Sequence, residues 1–145
     1  MITTYLASRS EDRDHIKLVA RKLRNKGIAI TSRWLRYGGM VYQNLEKMSE
    51  ADAMRMVAVH DLSDIDDADL VIVFSPKHAL RIGTGGRHFE CGYAYGTGKP
   101  IVVVGKPGNA FHYLPGIPVI DEKDLINYIL SKKWKKNAKK TKRSN

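Results

Sequence analysis

The chain has 145 residues, 43% of them hydrophobic, which suits one domain with a single core. A single cysteine, Cys91, excludes an intramolecular disulfide, and five scattered histidines without ligand spacing give no metal site and no call for a cofactor. No apolar run approaches the roughly 18 residues of a membrane span, and the first residues lack a charged-then-apolar leader, so a soluble cytoplasmic protein is expected.

Ile2 to Ala7 is apolar and β-prone, followed by the polar cluster Ser8-Arg9-Ser10-Glu11-Asp12. Ile16, Val19, Ala20 and Leu23 recur at helical spacing, with Gly27 as the stop. Ile28–Thr31 reads as a second short strand. Val41 to about His60 is Met- and Ala-rich, and Leu45, Met48, Ala51 and Met54–Met56 are expected to form its buried stripe. Leu70–Phe74 is a continuous apolar run, the pattern of a central parallel strand covered on both faces. Phe89 to Gly98 reads as a helix, Ile101–Val104 as a buried strand and Pro118–Ile120 as a last short strand. Leu125, Ile126 and Ile129 begin the final helix. Alternating strands and helices predict an α/β fold with a flavodoxin-like, doubly wound, five-stranded parallel sheet in the order 2-1-3-4-5, helices on both faces.

The charge of +10 is uneven along the chain. Residues 132–145 hold eight Lys and Arg and no acid, leaving 17 basic against 15 acidic residues in the body. A domain over 1–131 with a flexible basic tail over 132–145 is therefore expected. The tail reads as a solubilising extension more readily than as a nucleic-acid-binding arm.

In such sheets ligands sit beyond the carboxyl ends of the strands. Strand 1 delivers Tyr5, then Ser8, Arg9 and Ser10. Strand 2 delivers Ser32, Arg33 and Trp34. Strand 3 is followed by Ser75 and the loop Gly83-Thr84-Gly85-Gly86-Arg87-His88, which opens the helix carrying Glu90. A Gly-rich loop entering a helix presents free backbone N–H groups to an anion, and Arg87 adds a forked guanidinium suited to phosphate oxygens. The loop lacks the Lys-Ser or Lys-Thr of a P-loop and the full spacing of a dinucleotide fingerprint. Glu90 has two readings, a surface helix-dipole partner or a positioned nucleophile; its neighbours Phe89, Cys91, Tyr93 and Ala94 read as packing positions. Asp61, Asp64, Asp66, Asp67 and Asp69 read mostly as surface turn or cap residues, with Ser63 and Asp66 suggesting a helix start.

Thr4-Tyr5-Leu6-Ala7, the stretch HDLSDIDDADLVIVFSP (60–76) and GTGGRHFECGYAYGTGKPIVVVG (83–105) together resemble the nucleoside 2-deoxyribosyltransferase superfamily. Its relatives include the 2'-deoxynucleoside 5'-phosphate N-hydrolases and the CMP or hydroxymethyl-CMP N-glycosidases. The resemblance implies that Glu90 attacks the anomeric carbon, that Tyr5 orients it, and that Asp61 protonates or holds the leaving base; Asp69 looks structural. Deoxyribosyltransferases usually carry an aspartate six residues before the nucleophile, where this chain has Thr84. A hydroxyl there suits a 5'-phosphate that a carboxylate would repel. Thr84, Gly85, Gly86 and Arg87, completed by Arg9 or less favourably Arg13, are thus the expected phosphate-binding residues. Trp34 and Ser8 are the base-side candidates. The family's sites are completed by a neighbouring subunit, which implies at least a homodimer in which Asn109, Phe111 and His112 face the partner's pocket.

The expected activity is hydrolysis of the N-glycosidic bond of a nucleoside 5'-monophosphate. Base exchange by a deoxyribosyltransferase is the enzyme alternative, and a non-catalytic nucleotide sensor the alternative from another class.

Overall fold

The computed structural model describes residues 1–36, 47–75 and 85–138. Five parallel strands, β1 (Ile2–Ala7), β2 (Ile28–Ile30), β3 (Leu70–Phe74), β4 (Ile101–Val104) and β5 (Val119–Ile120), form one sheet in the expected order β2-β1-β3-β4-β5. β3 and β4 are apolar and buried at every position, as strands covered on both faces must be.

The described residues also form α1 (Arg13–Arg24), α2 (Glu50–Asp66), α3 (Gly86–Gly96) and α4 (Leu125–Leu130). The buried stripe of α1 is the one its periodicity announces: Ile16, Val19, Ala20 and Leu23. Gly27 adopts φ +75, the left-handed conformation that ends a helix and turns the chain into β2. Strand order changes direction after β2, so right-handed crossovers put α1 on one face of the sheet and α2 and α3 on the other.

Several details differ from the sequence reading. The second helix begins at Glu50, where the Ser49 hydroxyl caps it by accepting from the Asp52 N–H at 3.1 Å, and runs on to Asp66. Ser63 and Asp66 therefore mark its end, not a start. Its expected methionine stripe is not buried: Ala51 is exposed and Met54 is 56% exposed, while Ala53, Asp64 and Ile65 face inward. Leu45 lies outside the described residues. On α3, Cys91 and Ala94 are buried but Phe89 is 67% exposed.

Past residue 131 the chain remains packed, because Trp134 is 3% exposed in the core and its indole N–H donates to the Ile129 carbonyl at 2.9 Å. The basic residues at 132–136 thus sit around a buried anchor. At the carboxyl end of the sheet, β3 and β4 close on each other at Gly105. A Cβ there would lie 2.9 Å from the Ser75 carbonyl oxygen, and φ is +101, so only glycine fits. The β4–β5 crossover carries one 3-10 turn, Ala110–Tyr113, in place of a full helix.

Candidate active site

The carboxyl edge gathers residues from three elements. Tyr5 leaves β1 completely buried, Asp61 comes from the last third of α2, and Glu90 lies just past the first turn of α3. Their charges act on one another directly. Burial pushes the Glu90 carboxyl up to about 8; Asp61 adds to the rise and the Tyr5 hydroxyl opposes it. Burial pushes Asp61 up to about 7; Asp64 adds to the rise, while Arg33 and Tyr5 oppose it. The Tyr5 phenol is raised in turn, first by burial and then by Glu90 and Asp61. The Tyr5 hydroxyl completes no hydrogen bond of ordinary length and angle, nor does Asp61 Oδ1. Two acids that resist simultaneous ionisation flank one hydroxyl, so near neutral pH the pair retains a proton that belongs to both.

Asp61 and Asp64 lie one helical turn apart, yet their surroundings are opposite. Asp64 is 3% exposed and its charge is matched: Oδ1 accepts from Arg33 Nε at 2.6 Å, and Oδ2 accepts from the Arg33 backbone N–H at 2.7 Å. It is a buried structural carboxylate joining α2 to the turn after β2, not the surface cap expected from sequence. Arg33 also donates through Nη2 to the His60 carbonyl at 3.3 Å, which fixes the segment of α2 from which Asp61 projects.

One turn before Glu90 on α3 stands an anion-seeking group. Arg87 is partly buried, and among the described residues its Nε and Nη1 have no hydrogen-bond partner. Burial and then the charge of nearby Arg9 hold its pKa below the usual arginine value. Arg9 itself is braced by Asp12, with contacts of 3.1 and 3.2 Å. Gly85 caps α3 at φ +78, with no side chain bonded to the exposed N–H groups, and Gly86 is its first helical residue. Two arginines converging on an uncapped helix N-terminus form an environment that favours an anion. Thr84, also expected there, lies outside the described residues.

The base-side candidates divide. Ser8 Oγ is buried and unpartnered. Trp34, the other base-side candidate, is 8% exposed and its indole N–H donates to the Leu6 carbonyl at 2.7 Å. Arg13, given second place in the sequence reading, lies 5.9 Å from the Trp34 ring centroid with Nε buried and unpartnered. Asn109 and His112 pack within their own chain. The Asn109 amide meets His88 Nδ1 at 2.8 Å, and His112 is 1% exposed, accepting at Nδ1 from the Gly108 N–H at 2.9 Å. Two aromatic residues of that turn do face outward, Phe111 at 68% and Tyr113 at 73% exposed.

The Arg33–Asp64 pair and the His88–Asn109–His112 cluster were missed from sequence. An Arg directly after a short strand was the available signal for the first; the second has none, because His88 is 21 positions from Asn109 and no local pattern joins them. Among the described residues no cluster of His, Cys, Asp and Glu could hold a metal ion, and no helix is long and apolar enough to cross a membrane.

No protein-family model and no curated protein matches the chain by sequence. Its fold does match solved structures. A CMP N-glycosidase from Clostridium botulinum is 19% identical with a TM-score of 0.54, over 89% of this chain and 98% of that one. A 2-deoxyribosyltransferase from Bacillus psychrosaccharolyticus is 23% identical with a TM-score of 0.65, over 87% of this chain and 91% of that one. The five-stranded doubly wound domain described above is the fold of these two proteins.

Proposed function

We propose that this protein is an N-glycosidase of the nucleoside 2-deoxyribosyltransferase superfamily, hydrolysing a nucleoside 5'-monophosphate to free base and sugar 5-phosphate. The observation that carries the reading is the pair of partly buried, proton-sharing acids, Glu90 and Asp61, at the Tyr5 hydroxyl, with Arg87 one turn earlier on the helix that carries Glu90. The likeness in fold to a CMP N-glycosidase and a 2-deoxyribosyltransferase supports it.

The proton count suits the chemistry. The singly protonated pair reacts in the form in which Asp61 holds the proton and Glu90 carries the charge; because Glu90 is raised further, to about 8 against about 7, the proton passes from Glu90 to Asp61 before the C–N bond breaks. As the C–N bond breaks, its electron pair leaves with the base, which takes the Asp61 proton. Positive charge developing on the sugar draws the Glu90 carboxylate, which bonds the anomeric carbon as an ester. Water then attacks that carbon and gives its proton to the Asp61 carboxylate, which frees Glu90. Tyr5 orients Glu90, and Arg87, Arg9 and the α3 N-terminus take the 5'-phosphate, with Thr84 as a further donor. Ser8 is the base-side candidate, and Arg13 a second choice for the phosphate.

Attack by a second base in place of water would give base exchange. This is the second reading, favoured by the likeness to the 2-deoxyribosyltransferase. Nucleoside 5'-monophosphates and nucleosides, each incubated with and without an acceptor base and resolved by chromatography, separate the two. Free base without acceptor, from monophosphates only, is the expected result. Exchange without any phosphate requirement would overturn the Arg87 assignment. Tight binding without release of base would leave a sensor.

A further inference from the structure

The acid pair reacts only while its one proton is on Asp61, since Glu90 must be ionised to capture the sugar. The proton prefers Glu90, which is raised to about 8 against about 7 for Asp61. A charge that acts on Asp61 and spares Glu90 therefore decides how often the reactive arrangement is reached.

Asp64 is placed to be that charge. It stands one turn beyond Asp61 on α2, and side chains at that spacing are neighbours, with roughly 5–6 Å between their Cβ atoms. Its buried carboxylate is pinned on both oxygens: Oδ1 accepts from Arg33 Nε at 2.6 Å and Oδ2 from the Arg33 backbone N–H at 2.7 Å. A charge so held cannot swing out to water, and burial keeps it from being screened. Among the described residues, the ionisable groups acting around Asp61 are Tyr5 from β1, Glu90 from α3, Arg33 from the turn after β2, and Asp64 from its own helix. Arg33 opposes Asp64 there, but Asp64 has the larger effect. The groups that move Glu90, besides burial, are Asp61 and Tyr5.

We propose, resting on the N-glycosidase reading, that Asp64 is a positioning residue for the reaction: its anchored carboxylate, one turn along α2, draws the shared proton from Glu90 to Asp61. The Arg33–Asp64 bond thus has two uses. It joins α2 to the turn after β2, and it fixes a negative charge beside one acid of the pair only.

The test is Asp64→Asn in the full chain, which keeps an acceptor for Arg33 and removes the charge. Base release from nucleoside 5'-monophosphates and the carboxyl 13C signals of Asp61 and Glu90 are both followed across the titration of the pair. Proton binding at Asp61 is expected to weaken about tenfold, with Glu90 unmoved, so the maximum rate falls about tenfold. On the acid side of the profile the rate should match the wild type. The reactive form is reached there from the fully protonated pair by ionising Glu90, a step that Asp64 does not touch. Damage to the fold would instead lower the rate at every pH. The double variant Asp64→Asn/Arg33→Met also removes the opposing cation, and its Asp61 titration should lie between those of the wild type and Asp64→Asn. An Asp61 titration unchanged in Asp64→Asn, an equal change at Glu90, or a uniform loss of rate across pH would overturn the proposal. Should Asp64→Asn not fold, the double variant decides, and Asp61 binding its proton there as tightly as in the wild type would overturn it. Asp61 moving as expected in a chain whose wild type releases no base would sink the activity and keep the proton placement.

Discussion

The two ends of the sheet treat their carboxylates in opposite ways. At the amino end, Asp69 accepts from the Thr3 N–H at 2.9 Å and the Thr3 hydroxyl at 3.1 Å, and Asp66 accepts from the Tyr93 hydroxyl at 3.0 and 3.1 Å. At the carboxyl end, the buried atoms Tyr5 Oη, Ser8 Oγ, Arg13 Nε, Asp61 Oδ1 and two nitrogens of Arg87 complete no hydrogen bond of ordinary length and angle among the described residues. A fold whose stability is marginal does not keep such groups unmatched without cost. Their concentration at one edge marks where binding, and not stability, governs the residues. Asp61 and Asp64, one turn apart on α2, draw the same line within a single helix.

If this contrast is right, substitutions at the two ends should separate activity from stability. The largest effect is expected from Glu90→Gln, which should lower kcat for base release by on the order of 10⁴-fold while nucleotide still binds, as read by single-turnover kinetics and calorimetry. Asp61→Asn should cost about 10²- to 10⁴-fold in the same assay. The wild-type pH profile should be bell-shaped, falling on the acid side as the pair takes a second proton and on the alkaline side as it loses its last.

Arg87→Ala should lower kcat/KM for monophosphates by about 10- to 100-fold and leave nucleosides little affected. A uniform loss on both substrate types would break the phosphate assignment.

Stability should move the other way at the two ends. Folding raises the pKa of Glu90 and Asp61, so the stability linked to them is present below their unfolded values near 4 and is lost as pH rises through about 7 to 8. Glu90→Gln should therefore raise Tm by a few degrees at pH 8 and by almost nothing at pH 4. Asp64→Ala should destabilise by about 2 kcal/mol, a figure below that for a fully buried pair because Arg33 is 40% exposed. Smallest of all, Asp69→Ala should cost about 1 kcal/mol in denaturant titration and leave kcat unchanged. A fall in activity matching that of Asp61→Asn would erase the distinction between the two ends.

Much of this was legible in the chain. Strands β1, β3 and β4 and the buried face of α1 follow from hydrophobic period alone, because an all-apolar run of four to six residues has few other homes. The sheet order followed from alternation and length, and Glu90, Tyr5, Asp61 and Arg87 from the strand-end rule and the family resemblance. Helix α2 was misread because its composition is helical throughout while its inward face is set by what it packs against. Nothing in the spacing of Met54 or Asp64 shows that the methionine faces out and the aspartate in.

The sequence by itself determined the doubly wound core, the edge at which chemistry could occur and the residue types available there. Tertiary structure decided how each of those residues is used. Burial depth and partners come from elements distant in sequence, and they turned Asp64 into a structural ion and Trp34 into a packing residue. The same distant contacts left Asp61 and Glu90 sharing a proton.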